Sequence, residues 1–354
     1  MSATAILDGL RQRRTGALAR AISLVENGAA GFEEILTALH GRLGEARRIG
    51  VTGPPGGGKS TLIERLAAHY RRADFTVGVI AVDPSSPFTG GALLGDRIRM
   101  EGASSDPGVF IRSMASRGSL GGMATTTGEV ADVMDAFGFQ RILIETVGVG
   151  QSELDVASAA DTTVVVLVPE SGDGIQVMKS GLMEIADVFV VNKADRPGAD
   201  LLRQELEVAL GLRRGETFRH VPAHHGVELA SLTGTARAGV ATTRPPARGA
   251  DGRWEPPVIV TAAVRSEGVG ELAESLDRHF TFLEQSGALA DRRSHRLAQR
   301  TRDVVDRALQ RWVWSDSGPK AALEAALGEV AAGKRSPYEA AAAIVARIRG
   351  STGT

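Results

Sequence analysis

A lysine and a serine that close a glycine-rich turn are the residues of this sequence best placed to do chemistry. They stand in VTGPPGGGKST, Val51–Thr61, where Gly53, Gly58, Lys59 and Ser60 fill the spacing G-x-x-x-x-G-K-[ST]. The whole run Thr52, Gly53, Pro54, Pro55, Gly56, Gly57, Gly58, Lys59, Ser60 and Thr61 reads as a phosphate-binding loop. Glycines let the backbone close on phosphate oxygens because no Cβ blocks the approach. Successive N–H groups and a helix N-terminus then point at the anion. Lys59 supplies a point charge for the outer phosphates and Ser60 an oxygen for Mg²⁺. A chance glycine-rich turn before a lysine is the competing reading. It does not account for the apolar run before the loop (Ile49, Val51) or the helical pattern after it (Leu62, Ile63, Leu66, Ala67).

A second constellation is Asn192-Lys193-Ala194-Asp195, just past the apolar run Val188–Val191. A carboxylate there accepts from both N1–H and the exocyclic amine of guanine, and adenine offers neither donor. The asparagine can meet the other edge of the base and the lysine stem can cover the ring. Alone the tetrapeptide is a common loop cap; downstream of a P-loop it indicates GTP and GDP. Ala262-Ala263 follows the next strand and offers a backbone N–H from its second residue. Asp83, Asp96 and Glu145 stand at strand ends or in loops, and with Ser60 they form the expected Mg²⁺ set of hard oxygen donors. For Asp83 and Asp96, the capping of a turn or helix is an equally good reading. Gly148, after Glu145-Thr146-Val147, offers a backbone N–H to the terminal phosphate, and Gln151 is a candidate to orient water. Gln176 and Lys179 share a helix face, and from residue type alone Lys179 reads as an exposed helix lysine. His220, His224 and His225 cluster loosely and read as a polar loop, because a metal site needs three or four fixed ligands.

The elements that must position these groups follow from periodicity. Apolar runs at Phe75–Val82, Val109–Arg112, Arg141–Glu145, Thr162–Pro169, Val188–Val191 and Val258–Thr261 alternate with helical patterns at Thr126–Phe137, Ile175–Ile185, Ala199–Leu210 and Val269–Leu283. This predicts an α/β fold, a doubly wound and mostly parallel P-loop sheet with helical N- and C-terminal extensions. Residues 4–44 read as two helices parted at Asn27-Gly28. The expected division is a helical extension over 1–45, a nucleotide-binding domain over 46–285 with an irregular insertion at 213–253, and a helical arm over 286–354. Pro319 and Pro337 mark starts of the last two helices. Leu297, Val304, Val305, Ala308, Leu309, Trp312 and Val313 form one stripe on the arm and predict a homodimer. Removal of residues 291–354 is then expected to leave a monomeric nucleotide-binding core. The 354 residues carry a formal net charge of −1 and no cysteine. That argues against nucleic-acid binding and excludes disulfides and thiolate metal sites. No apolar run approaches the about 18 residues of a membrane span. The expectation is a cytoplasmic protein.

Taken together, VTGPPGGGKST, VDPSSPFTGGALLGDRIRM, FIRSMASRGSLGGMATTT, ILIETVGVGQSELDV and EIADVFVVNKAD resemble the methylmalonyl-CoA mutase-associated GTPases. That family holds the bacterial chaperone of the mutase and the human cobalamin A disorder protein, and some members carry an older designation as an arginine/ornithine transport ATPase or kinase. The resemblance spans residues 20–346, is most specific over 50–195, and is weak over 213–253. It implies a Mg²⁺-dependent GTPase of the signal-recognition-particle and MinD class, dimeric through its C-terminal helices. It further implies a chaperone that gates cobalamin loading of an acyl-CoA mutase and protects that mutase from inactivation, with an adenosyltransferase as a further partner. Matched residue by residue, Lys59 and Ser60 are the P-loop pair, and Asp83, Asp96 and Glu145 the Mg²⁺-associated acids. Asn192, Lys193 and Asp195 match the base reader, and Gln176 and Lys179 a mobile third switch that answers the mutase. Where the family often has Glu-Leu-Gln-Gly in that switch, this chain has Gly174-Ile175-Gln176-Val177.

Overall fold

Each β-branched run in the sequence becomes a strand: β1 (Arg47–Thr52), β2 (Val77–Pro84), β3 (Val109–Ser116), β4 (Arg141–Thr146), β5 (Thr162–Leu167), β6 (Val188–Val191) and β7 (Val258–Val260). In the computed structural model they form one sheet in the order β3-β2-β4-β1-β5-β6-β7, every neighbouring pair parallel. The structure describes residues 2–84, 106–116, 122–146, 158–169, 182–213, 252–315 and 317–351. The expected insertion therefore lies almost wholly outside the described residues.

Side chains alternate between the two faces of a strand, and the packing follows that rule. Val164 and Val166 of β5 face one cluster with Ile49, Val51, Leu62 and Leu66, while Val165 and Leu167 face another with Phe189, Leu202 and Leu206. The first face is covered by α4 (Lys59–Arg72) and α8 (Val269–Ser286). The second is covered by α5 (Gly122–Phe137), α6 (Leu182–Ile185) and α7 (Ala199–Arg213). The sheet is thus wound on both sides.

The N-terminal segment holds three helices rather than two: α1 (Ala3–Arg11), α2 (Thr15–Asn27) and α3 (Phe32–Leu39). The unforeseen break falls at Gln12–Arg14, where Arg13 takes φ 53° with no glycine or proline to announce it. Ile6, Leu18, Ile22 and Ile35 join Met134, Ile142 and Ile144 in one cluster, so these helices share the core of α5 and the sheet. β3 runs four residues past the expected Arg112, because Ser113–Ser116 pair with Ala81–Pro84. Of the helix expected at 175–185, only the last turn, α6, lies among the described residues.

The C-terminal arm is α9 (Ala288–Ser315), α10 (Ser317–Ala331) and α11 (Pro337–Ser351). One side of α9 is a ladder of arginines on buried carboxylates. Arg292 bonds Asp187 at 2.9 Å, Arg293 and Arg296 bond Asp161 at 2.8 and 2.7 Å, and Arg300 and Arg307 bond Asp132 and Glu129 at 2.5 Å each. Spacings near three and four keep these side chains on one face. Asp161 and Asp187 stand immediately before β5 and β6, so the ladder grips the amino edge of the sheet. Arg48 in β1 bridges Asp132 and Asp135 from below. Burial alone would raise the carboxyl of Asp187, but His279 and Arg292 hold it below the usual range. Leu297, Val305, Leu309 and Trp312, in contrast, stand about half exposed.

Candidate functional site

The strand order reverses at β1: β2, β3 and β4 lie to one side and β5, β6 and β7 to the other. Ligands of open α/β sheets bind at such a reversal, beyond the carboxyl ends of the strands. The sequence motifs converge there. The glycine-rich loop leaves β1, Glu145 is the penultimate residue of β4, Asn192 follows β6 and Thr261 follows β7.

Two glycines of the loop are fixed by close approach. Gly53 takes φ +132°, and a Cβ there would lie 2.1 Å from the carbonyl oxygen of Val166 in β5. Gly58 takes φ +81°, and its Cβ would lie 2.5 Å from Nδ2 of Asn192. The turn delivers the chain into α4, whose first residue is Lys59 and whose N-cap, Gly58, makes no side-chain cap. The N–H groups of the first turn are therefore presented to whatever the loop encloses. Lys59 is buried and arches over the loop, donating from Nζ to Gly53 O at 2.8 Å and Pro54 O at 2.9 Å. Its ammonium is thereby held inside the ring of backbone that the motif builds.

Ser60 and Glu145, expected to share a cation, are brought together: Ser60 Oγ donates to Glu145 Oε1 at 2.6 Å. A hydroxyl beside a carboxylate is a hard oxygen pair that suits Mg²⁺. Asp83 lies on the neighbouring strand, two residues beyond Ala81, which pairs with Glu145. Thr146 Oγ1 bonds Thr52 Oγ1 at 3.0 Å and ties the ends of β4 and β1, a contact the sequence reading missed. Asp96, Gly148, Gln151, Gln176, Lys179 and the three histidines of the insertion lie outside the described residues.

At the base-reading loop Asn192 ties the surrounding segments together. The side chain is buried. Its Oδ1 accepts from Thr261 Oγ1 at 3.0 Å and from Ala263 N at 3.2 Å, and its Nδ2 donates to Gly57 O at 2.9 Å. Oδ1 and one N–H of Nδ2 are thus bonded within the protein, because a buried polar group needs partners, and here they come from the phosphate loop and the segment after β7. Thr261 is thus a site residue that sequence reasoning passed over, although a hydroxyl at a strand end before Ala262-Ala263 was the available signal. Ala262 and Ala263 follow β7 and are buried, and the N–H of Ala263 is directed at Asn192. Ala194 N donates to Thr261 O at 3.0 Å, which completes the tie between the two loops. Lys193 takes φ +59° and is half-buried, and Asp195 is exposed at the lip of the same loop.

Among the described residues no helix is long and apolar enough to cross a membrane. Comparison with known proteins bears on this geometry. The family model described as methylmalonyl-CoA mutase-associated GTPase MeaB matches residues 18–317. A putative GTPase of Pyrococcus horikoshii is 44% identical over 300 residues, 85% of this chain and 84% of that protein. The mouse protein named methylmalonic aciduria type A homolog, mitochondrial, is 38% identical over 252 residues, 65% of this chain and 61% of its own. Among solved structures, that of an LAO/AO transport system kinase aligns with a TM-score of 0.64 and 25% identity, covering 98% of this chain and 97% of that one.

Proposed function

The chain belongs to the methylmalonyl-CoA mutase-associated GTPase family MeaB, and from that membership we propose that its GTP hydrolysis times the service of a cobalamin-dependent acyl-CoA mutase. In this reading the client is methylmalonyl-CoA mutase or a close relative. The GTPase gates loading of its cobalamin and protects it from inactivation, with an adenosyltransferase as a further partner. The name of the mouse relative, a methylmalonic aciduria homolog, supports this choice of client. The observation that carries the nucleotide chemistry is the meeting of Lys59, the Ser60–Glu145 pair and the Asn192 tie at one edge of β1.

Each residue then has a task. The N–H groups over 56–60 cradle the phosphates, and Lys59 carries positive charge to the β,γ-oxygens. Ser60 and Glu145, with Asp83 and Asp96, would hold Mg²⁺, which would offset charge developing on the phosphoryl group. Gly148 donates its N–H to the terminal phosphate, and water attacks the γ-phosphorus in line. Asp195 accepts from N1–H and the 2-amino group of guanine, the Lys193 stem covers the ring, and the N–H of Ala263, held by Asn192 Oδ1 at 3.2 Å, is shared with the base. Gln176 and Lys179 complete the charge supply when the partner is docked. The structural relative is named a kinase; a kinase acting on ATP is disfavoured here by Asp195, because adenine has neither the N1–H nor the 2-amino group that a carboxylate at this edge would accept from. The half-exposed stripe on α9 supports a homodimer built on the arm, and we place the protein in the cytoplasm.

Two measurements test this. Calorimetry should show GDP binding far more tightly than ADP, and equal affinities would overturn the guanine assignment. Single-turnover GTP hydrolysis should accelerate when the mutase is added, and Lys179→Ala should lose that acceleration, since one such charge is worth about 10³-fold in related chemistry. Full stimulation of the variant would refute the switch.

A further inference from the structure

Two buried hydroxyls meet behind the Ser60–Glu145 pair. Thr52 is the last residue of β1 and Thr146 the last of β4, and both are withdrawn from solvent. Their Oγ1 atoms lie 3.0 Å apart. Side chains alternate along a strand. Leu143 belongs to the cluster under α4 and Ile144 to the cluster shared with α5, so Glu145 points to the α4 face and Thr146 to the other. The same rule sends Val51 to the α4 face and Thr52 away from it. The gap between β1 and β4 is therefore bridged on both faces, by Ser60 with Glu145 on one and by Thr52 with Thr146 on the other. The backbone register of these strands ends with Val51 opposite Glu145. The hydroxyl bond carries the pairing one residue farther, to the point where the phosphate loop departs. A valine would fill either place with nearly the same shape and bury no polar atom. A hydroxyl there is tolerated because it is hydrogen-bonded.

We infer that Thr146 is a positioning residue for the cation, acting through Glu145. This inference rests on the assignment of Ser60 and Glu145 to Mg²⁺ above. Glu145 directly precedes Thr146, so the backbone that carries the carboxylate is fastened to the residue from which the phosphate loop starts. With that bond in place, Ser60 Oγ and Glu145 Oε1 stand 2.6 Å apart and can converge on one small ion. Without it, the end of β4 is free to drift from β1, and the two oxygens lose their common focus. Mg²⁺ demands near-ideal octahedral geometry at short range. A small displacement of Glu145 therefore weakens the cation more than the phosphates, which the N–H groups of the loop and of α4 hold independently of β4. The Thr146 side chain itself lies on the opposite face of the sheet from Ser60.

The experiment titrates Mg²⁺ calorimetrically into the GDP-loaded parent, Thr146→Val, Thr146→Ala and Thr146→Ser. Loss of a group that orients a metal ligand typically costs 10–100-fold in metal affinity. Thr146→Val and Thr146→Ala should bind Mg²⁺ about tenfold more weakly than the parent, with GDP affinity measured in EDTA at the parent value. The Mg²⁺ concentration that half-saturates GTP hydrolysis should rise by the same factor. Thr146→Ser keeps the hydroxyl and should keep the parent's Mg²⁺ affinity. A parent whose GDP complex takes up no Mg²⁺ would overturn the cation assignment itself. A parent that takes it up, with Thr146→Val and Thr146→Ala binding it equally well, or with Thr146→Ser as weak as they are, would overturn the role of Thr146 alone. So would a loss of GDP affinity in EDTA as large as the loss for Mg²⁺, since the bond would then serve the whole site and not the cation.

Discussion

Asp161 supplies a sharp test of how the arm is fastened. Its carboxylate is wholly buried and accepts from the backbone N–H of Arg48 at 3.1 Å, from Arg293 Nη2 at 2.8 Å and from Arg296 Nη2 at 2.7 Å. Burial pushes this carboxyl up, and the two guanidinium groups overcome that and hold it at about 2. An aspartate in an unfolded chain titrates near 3.9, and a gap approaching two pKa units corresponds to about 2–3 kcal/mol of stability at neutral pH. The folded state holds the lower value, so the contribution is complete above the unfolded pKa and is lost as pH falls toward 2. Asp161→Asn removes the charge. The variant should be less stable than the parent at neutral pH, with the gap shrinking by about 2 kcal/mol from about pH 6 to about pH 2.5. Urea unfolding followed by circular dichroism across that range measures the gap. A gap that stays constant with pH would show that Asp161 contributes through packing or neutral hydrogen bonds, and would refute the electrostatic account.

Two further outcomes are expected. Lys59→Ala should abolish phosphate release from GTP, because it removes the ammonium held inside the enclosed loop; hydrolysis at the parent rate would dismiss the site assignment. Deletion of residues 291–354 should not give the free-standing core that the sequence suggests. It removes the α9 arginines from Glu129, Asp132, Asp161 and Asp187, leaving Asp132 to Arg48 and Asp187 to His279, and a buried carboxylate left without its partner, as at Asp161 and Glu129, costs about 3–5 kcal/mol. A truncated chain that melts cooperatively at the parent temperature would contradict this.

What could be read in the sequence was chemistry that is local. The run Thr162–Leu167 is β-branched or apolar at every position, which suits a strand covered on both faces, and it is such a strand. The phosphate loop is legible because its function lies in backbone conformation, which glycines declare one by one. Asn192 was harder. A buried amide is defined by what faces it, and its partners at Gly57, Thr261 and Ala263 lie far away along the chain. The arginines of α9 were harder still. Nothing in the sequence singles out Arg292, Arg293, Arg296, Arg300 and Arg307, and only the packed structure brings Glu129, Asp132, Asp161 and Asp187 beneath them. The break between α1 and α2 left no mark, since Arg13 adopts its left-handed conformation without a residue type that favours it.

The Asn192 tie has a consequence for how affinity is assembled. With one amide bonded to Gly57 on the phosphate side and to Thr261 and Ala263 on the base side, the distance between two half-sites is set before any ligand arrives. A ligand that spans both behaves as two fragments joined by a short linker: once one end is seated, the other meets its half-site at an effective concentration of about millimolar or higher. Guanosine alone and pyrophosphate alone should each bind feebly, and far less than half of the binding free energy of GDP should be recovered from either. Loosening the tie by Asn192→Ala would lower that effective concentration, and so weaken GDP much more than it weakens either fragment.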